Sequence, residues 1–286
     1  MKILITGANS YIGTTFEKYL SSFDGYSVDT VDMIGDAWRE KDFSGYDVVY
    51  HVAGIAHSDN GKISEEKEKL YYHVNTDLTI ETAKKAKAEG VKQFIFMSSA
   101  IVYGNSGKIG KSKVITKDTP LTPANCYGDS KKRAEEGILP LSDENFKVVI
   151  LRPPMIYGKE SKGNFPQLKK FAKLPFFPYV KNQRSMLYVE NLCEFIKLMI
   201  DNGESGIFFP QNKEYSNTSE LVKEIGKNLG KKVRLVKGFG WLLKILSHCT
   251  GLVNKAFGNL TYDMSLSEYK QDYQKYDLKE SVKKSI

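Results

Sequence analysis

The first residues of the chain constrain its fold more than any other segment. Ile3–Thr6 is a short apolar run typical of a buried strand, and Ile12–Ser21 has the pattern of a helix. Gly7 lets the chain turn tightly between them, and Gly13 lets the helix approach the sheet closely. A helix N-terminus also presents free N–H groups and the positive end of its dipole. The turn therefore predicts a site for the pyrophosphate of a dinucleotide.

The same alternation of short apolar runs and helix-like segments continues along the chain. Thr76–Ala88 has helical periodicity, with Gly90 just beyond it as a stop. Further strands are predicted at Ser27–Asp32, Val48–Ala53, Phe94–Ser98 and Val148–Arg152. Buried strands separated by helices indicate parallel βαβ units. We therefore predict an α/β fold: a doubly wound Rossmann-type parallel sheet with a smaller C-terminal substrate-binding lobe.

The character of the sequence changes after Gly158, where prolines interrupt the chain and Phe and Tyr become dense. We expect a dinucleotide-binding domain over residues 1–158 and a mainly substrate-binding lobe over 159–286. Residues of about 185–200 are expected to pack back on the first domain. Within the lobe, Asn217 predicts the start of a helix, and Val233–Val236 predicts a strand.

The second predicted strand ends in an acidic residue, Asp32, about 20 residues beyond the glycine turn. A carboxylate at that place can accept hydrogen bonds from both hydroxyls of the adenosine ribose, and it would repel a 2′-phosphate. No Arg follows it immediately. The expected cofactor is therefore NAD rather than NADP.

A Tyr and a Lys four residues apart, Tyr127 and Lys131, carry the predicted chemistry. On a helix they share one face. A free phenol has a pKa near 10 and is a poor base at neutral pH, but a neighbouring ammonium favours the phenolate. Upstream, Ser98 and Ser99 place hydroxyls just past a strand end, at the sheet edge where such folds bind ligands.

These motifs together resemble the extended short-chain dehydrogenase/reductases, the NAD-dependent epimerase/dehydratase family, over nearly the whole chain. The resemblance is carried by the Gly7–Gly13 turn, His51–Gly54, Asn75, Ser98–Gly104, Tyr127–Lys131 and Leu151–Gly158. It implies a catalytic set of Ser99, Tyr127 and Lys131, in which Ser99 hydrogen-bonds the sugar, Tyr127 is the base and Lys131 is its partner.

The resemblance and the turn chemistry also imply binding residues. Those expected to bind the cofactor are Gly7, Asn9, Ser10, Tyr11, Ile12, Gly13, Asp32, Val52, Ala53, Gly54, Asn75, Lys131 and Pro154. Those expected to bind a nucleotide-diphosphate sugar, UDP-linked, are Ser99, Tyr103, Tyr127, Asn164 and Arg184. The forked guanidinium of Arg184 suits a diphosphate. The family also implies a homodimer built through the helix after Tyr127.

Two features depart from the family pattern. Ser10 stands where the family turn has a glycine, although Ser is small enough to let a pyrophosphate approach. The chain between Asp32 and Val48 is short, which leaves Asp36 as the candidate for an acidic residue contacting the adenine.

Composition excludes several other classes of protein. The net charge of +8 is spread along the chain without a zinc-finger spacing or an RNA-binding aromatic signature, so no nucleic-acid partner is expected. Three widely spaced cysteines make neither a disulfide framework nor a metal site. No apolar run reaches the roughly 20 residues that span a bilayer, and the N-terminus does not resemble a signal peptide. The expected location is the cytoplasm.

Two enzymatic reactions and one other function remain open. Ser99-Ala100-Ile101 leaves no Thr-Asp-Glu set for 4,6-dehydration. A 4-epimerase would oxidise C4 of the sugar and reduce the 4-keto intermediate on its other face, with Tyr127 acting as base and then acid. An NAD(P)H-dependent 4-keto reductase serving surface polysaccharide synthesis would run one half of that reaction. The third reading is a non-catalytic NAD-binding sensor.

Two further features are less specific. The apolar segment Trp241–Leu260 is expected to cover the sugar site or pack in the core rather than lie on a membrane. His51 and His57 flank the turn at Gly54; His57 is a possible sugar contact, although a structural or solvated role is favoured for both.

Overall fold

The computed structural model describes residues 1–55, 63–238, 254 and 257–286. The chain divides into two compact units. The first comprises residues 1–104, 121–153 and 193–210, and the second comprises 105–120, 154–192 and 211–286.

The first unit is built on a six-stranded sheet in which all neighbouring strands are parallel. Its strands are β1 (Lys2–Thr6), β2 (Ser27–Val31), β3 (Val48–His51), β4 (Gln93–Met97), β6 (Lys147–Leu151) and β10 (Gly206–Phe208). Their order across the sheet is β10-β6-β4-β3-β1-β2. The chain runs one way from β1 to β2 and the other way from β3 onward. The carboxyl ends of β1 and β3 therefore form the switch point where such sheets bind ligands.

Helices connect these strands. They are α1 (Tyr11–Leu20), α2 (Glu65–Tyr72), α3 (Leu78–Ala88), α4 (Cys126–Ile138) and α6 (Val189–Asp201), whose residues from 193 onward belong to the first unit. A π-helical turn at His73–Asp77 joins α2 to α3 without a break. The predicted helix at 76–88 is thus the C-terminal part of a longer helical segment that begins at Glu65.

The four central strands of the sheet, β1, β3, β4 and β6, are buried because they are largely apolar. Leu4, Val49, Phe94 and Val148 lie on neighbouring strands and are at most 2% exposed. Trp38, in the short 3-10 helix between β2 and β3, is 1% exposed in the same apolar core. Burial on both faces of the strands produces the continuous apolar runs seen in the sequence.

The described part of the second unit contains three small parallel strand pairs, together with helices. The pairs are β5 (Val114–Ile115) with β12 (Thr261–Tyr262), β7 (Met155–Tyr157) with β9 (Met186–Tyr188), and β8 (Phe176–Pro178) with β11 (Arg234–Val236). The helices are α5 (Asn164–Phe171), α7 (Thr218–Asn228) and α8 (Leu278–Lys284). Asn217 caps α7 through hydrogen bonds from the N–H groups of Ser219 and Glu220. The predicted helix start and the predicted strand at 233–236 are confirmed.

The α/β class and the parallel sheet are confirmed, while the unit ranges differ in detail from the expected domains. The first unit ends at Pro153 in this stretch rather than at residue 158. It is rejoined by 193–210 rather than 185–200, because these residues bring β10 to the edge of the sheet. Residues 105–120 belong to the second unit, where β5 pairs with β12. His57 and most of Trp241–Leu260 lie outside the described residues.

Candidate active site

The turn between β1 and α1 has the geometry that a dinucleotide site needs. Gly7 has a φ of +107°, and a Cβ built on it would lie 2.8 Å from the backbone nitrogen of Ala53. A Cβ on Gly13 would lie 3.1 Å from both Ile5 and Val52. No side chain fits at either position without movement, so these two glycines keep the turn open and the helix close to the sheet.

Ser10 has a local role that its place in the turn did not reveal. It is the N-cap of α1, and its hydroxyl accepts a hydrogen bond from the N–H of Gly13 at 3.1 Å. Ser is a favoured N-cap residue, so the departure from glycine stabilises the start of the helix that faces the turn. Asn9, just before it, takes a left-handed conformation with a φ of +63°.

Asp32 directly follows β2, beside the glycine turn, because β2 pairs with β1 in parallel register. Its side chain is exposed, and one carboxylate oxygen accepts a hydrogen bond from the N–H of Ile34 at 3.0 Å. This bond orients the carboxylate. The contact of Asp32 with the adenosine ribose stays a prediction.

The loop after β3 meets helix residues that lie far from it in sequence. The Asn75 side chain accepts a hydrogen bond from the Ile55 N–H at 2.8 Å and donates to the Ile55 carbonyl at 3.1 Å. It also donates to the hydroxyl of Ser130 at 3.0 Å. A Cβ on Gly54 would lie 3.0 Å from Asn75 Oδ1 and 3.1 Å from Lys131 Nζ. The predicted residues Gly54, Asn75 and Lys131 are thus brought together, and Asn75 sits in the π-helical turn, a device frequent at functional sites.

Helix α4 carries Tyr127 and Lys131 on one face. It begins with Asn125 as N-cap, whose side chain accepts a hydrogen bond from the Gly128 N–H at 2.9 Å. Burial raises the pKa of the Tyr127 phenol to about 12 against the opposing effect of the nearby Ser99 hydroxyl. The two hydroxyls therefore lie near each other, and the catalytic roles of Ser99 and Tyr127 stay predictions.

Lys131, one helical turn beyond Tyr127, is buried. Its ammonium donates a hydrogen bond to the carbonyl of Met97 at 2.9 Å and lies 4.5 Å from the centre of the Phe96 ring. Burial lowers its pKa to about 8, and the carboxylate of Glu135 raises it. A pKa near 8 leaves the side chain mostly protonated at neutral pH, so it supplies a positive charge at the site.

A buried polar cluster behind Lys131 was not found by sequence reasoning. Glu135, one helical turn beyond Lys131, pairs with Arg152 at 2.5 Å and accepts a hydrogen bond from Ser98. The Arg152 guanidinium also donates to the hydroxyl of Tyr103 at 2.7 Å. Its signals were the four-residue spacing from Lys131 and an Arg directly after a buried strand. Tyr103 is 2% exposed, and its predicted contact with the substrate stays a prediction.

Tyr11 and Ile12 begin α1, whereas three other predicted residues belong to the second unit. Pro154 precedes β7, and Asn164 is the first residue of α5. Arg184 forms an antiparallel bridge with Ser216 and donates a side-chain hydrogen bond to the carbonyl of Gly258 at 3.1 Å. Burial lowers the pKa of its guanidinium. The roles of these three residues stay predictions.

Comparison with known proteins gives the family. Residues 3–209 match the model of the NAD dependent epimerase/dehydratase family. The chain belongs to this family. The match includes the glycine turn, Ser99 and the Tyr127–Lys131 pair, and it makes the chain an NAD-dependent enzyme of the short-chain dehydrogenase/reductase type.

Two curated members are similar to most of the chain. A UDP-glucose 4-epimerase of Vibrio cholerae is 32% identical over 90% of this chain and 82% of its own length. The N-acetyl-alpha-D-glucosaminyl-diphospho-ditrans,octacis-undecaprenol 4-epimerase of Escherichia coli O157:H7 is 30% identical over 81% of this chain and 73% of its own length.

Solved structures agree on the fold of this family member. A UDP-glucuronic acid 4-epimerase from Bacillus cereus, in complex with NAD, has a TM-score of 0.74 at 19% identity and covers 99% of this chain and 97% of that chain. A dTDP-4-dehydrorhamnose reductase from Clostridium acetobutylicum has the same TM-score and identity over 100% of this chain and 98% of that chain. The predicted family, fold and cofactor are confirmed.

The first unit fits NAD on its own geometry. The open turn at Gly7 and Gly13 would hold the pyrophosphate, Asp32 the adenosine ribose, and Lys131 the nicotinamide ribose.

Two further observations are negative. Within residues 1–55, 63–238 and 257–286, no cluster of three or more His, Cys, Asp or Glu could hold a metal ion. No helix in the same part of the chain is long and apolar enough to cross a membrane.

Proposed function

We propose that this enzyme is an NAD-dependent 4-epimerase of a nucleotide-linked hexose, of the UDP-hexose type, which works through a transient 4-keto intermediate. The observation that carries the proposal is that the Ser99 hydroxyl lies near the buried Tyr127 phenol, with protonated Lys131 on the same helix face as Tyr127. Proton transfer at a sugar hydroxyl requires such groups.

Each catalytic residue has a separate role in the proposed reaction. The Ser99 hydroxyl orients the 4-hydroxyl of the sugar, and Tyr127 accepts its proton. Bound NAD supplies the acceptor and later the donor of the hydride at C4. Tyr127 then returns the proton after the sugar has presented its other face, so the reaction has no net redox change. The positive charge of Lys131 favours the phenolate against the burial that raises the pKa of Tyr127.

The carrier of the sugar is proposed from chemistry shared by the relatives. The Vibrio cholerae relative is named for UDP-glucose and the Escherichia coli relative for a sugar diphospho-undecaprenol. Both carriers join the sugar through a diphosphate, which the planar guanidinium of Arg184 suits. We propose UDP as the carrier, and assembly as a homodimer through α4 remains part of the same proposal.

The experiment is a test for bound cofactor and turnover. The purified protein is denatured, the released dinucleotide is identified, and fresh enzyme is incubated with UDP-galactose without added cofactor. We expect retained NAD and conversion to UDP-glucose. An empty site, no epimerisation, and oxidation of NAD(P)H only with a 4-keto nucleotide sugar would instead establish the alternative, a 4-keto reductase.

Tyr127→Phe tests the assigned base. We expect turnover to fall at least about 100-fold, the contribution of a positioned acid–base group, while NAD binding persists. Tyr72→Phe is the control. The Tyr72 hydroxyl, on α2, donates a hydrogen bond to Asp129, which lies on the same helix as Tyr127, and Tyr72 is outside the proposed catalytic set. Full turnover in Tyr127→Phe would show that another group is the base.

A further inference from the structure

A corner of the second unit exposes three large apolar side chains next to one another in the chain. Phe171 ends α5, Leu174 lies in the following turn and Phe176 begins β8; they are 41%, 49% and 56% exposed. At these exposures their combined accessible surface is on the order of 300 Å². This is within the range of the largest apolar patch on a typical folded monomer, which is often functional.

The patch is held on a fixed scaffold. The Leu174 N–H bonds the carbonyl of Phe171 at 3.0 Å, which closes the turn. Beneath it, the Phe171 ring packs against buried Phe177 with ring centres 5.6 Å apart. Strand β8 pairs with β11, so Arg234 lies opposite Phe176. The side chains therefore project from a turn and a strand whose backbone is hydrogen-bonded.

The elements that form the patch carry charge of one sign, while the neighbouring helix α7 is neutral, with Glu220 and Glu224 balanced by Lys223 and Lys227. Residues 164–178 and 229–238, which supply α5, β8, β11 and their flanks, contain seven Lys and Arg and no Asp or Glu. The net charge of the whole chain is only +8. The exposed basic residues of these two segments are Lys170, Lys173, Lys231, Lys232, Arg234 and Lys237.

We propose that this corner, Phe171, Leu174 and Phe176 with the basic residues around them, is a docking surface for an anionic lipid bilayer. Aromatic and aliphatic side chains enter the headgroup region, while Lys and Arg face the anionic lipid phosphates. A second copy of the chain is disfavoured because two such faces would bring like charges together. Protein interfaces in general are depleted in Lys. The proposal does not depend on which sugar the enzyme uses.

The test is cosedimentation of the full chain with vesicles of phosphatidylcholine alone and of phosphatidylcholine with phosphatidylglycerol. We expect binding to the anionic vesicles only, weakened by added salt. Lys173→Gln should weaken it roughly fivefold, the effect of one basic residue near such a surface. Leu174→Ser should weaken it roughly tenfold, because one large apolar side chain leaves the bilayer.

Matched controls separate the surface from general effects. Lys279→Gln changes an exposed lysine on α8, and Leu70→Ser changes a leucine on α2 that is 47% exposed. Neither should alter vesicle binding. Equal binding to both vesicles, no binding to either, or equal losses in the controls would overturn the proposal. Conversion of a dimer to a monomer by Leu174→Ser would assign the surface to a second copy instead. The assay needs no turnover, so its failure is distinct from failure of the proposed epimerase.

Discussion

The burial of His51 makes the stability of the enzyme depend on pH in a defined direction. The ring is 0% exposed at the end of β3 and lies 5.7 Å from the Phe94 ring. Its Nδ1 is 2.7 Å from the Thr6 hydroxyl, and its Nε2 is 3.0 Å from the Thr79 hydroxyl. Thr79 donates its own proton to the carbonyl of Asn75, so it accepts from Nε2, and Thr6 donates to Nδ1. A neutral ring satisfies both contacts.

Burial, together with the smaller effect of the nearby Lys131 charge, lowers the pKa of His51 from 6.5 to about 3. The folded state therefore binds a proton less readily than the unfolded state. The stability that His51 contributes is complete above pH 6.5 and is lost as the pH falls towards 3. Between pH 7 and pH 5 the expected loss in the free energy of unfolding is about 2 kcal/mol, and the full loss below pH 3 is about 5 kcal/mol.

The assay is urea unfolding followed by circular dichroism at pH 7 and pH 5. His51→Gln should be less stable than the wild type at pH 7, because it disturbs two buried hydrogen bonds, but its loss between the two pH values should be about 2 kcal/mol smaller. His73→Gln is the control, since the His73 side chain is 67% exposed. Between pH 7 and pH 5, His73→Gln should lose as much free energy of unfolding as the wild type. Equal losses in wild type and His51→Gln would refute the reasoning.

Two other predictions concern the turn and the buried cluster. Gly7→Ala should lower stability by about 1–3 kcal/mol and weaken NAD binding, because its φ is +107° and its Cβ would clash with the chain after β3. Gly90→Ala, at a φ of +79° with open space around it, should lose stability without affecting NAD; calorimetry and NAD titration compare the two. Glu135→Gln should lower the free energy of unfolding by about 3 kcal/mol, because it removes one charge of a buried ion pair. It should also shift the pH–rate profile to lower pH, because it removes a carboxylate that raises the pKa of Lys131. The exposed neighbour variant Glu136→Gln should do neither, and an unchanged pH profile in Glu135→Gln would contradict the electrostatic role.

The sequence by itself determined the fold class and the centre of the site. Continuous apolar runs such as Phe94–Met97 specify strands buried on both faces, and a parallel sheet is the arrangement that provides such burial. The glycine turn and the four-residue spacing of Tyr127 and Lys131 are local patterns, and local geometry follows from them directly.

Only the tertiary structure decided which polar groups are buried and with whom. Ser98, Glu135 and Arg152 follow or lie on three separate elements; the spacing of Glu135 from Lys131 gives its helix face, but nothing along the chain pairs it with Ser98 or Arg152. Likewise, the Tyr103 hydroxyl accepts a hydrogen bond from Arg152, and His51 is buried between β1 and α3 with hydrogen bonds to both. The physical reason is that hydrogen-bond partners, burial and pKa depend on contacts between distant residues, whereas the pattern of apolar and turn residues records only the neighbours along the chain.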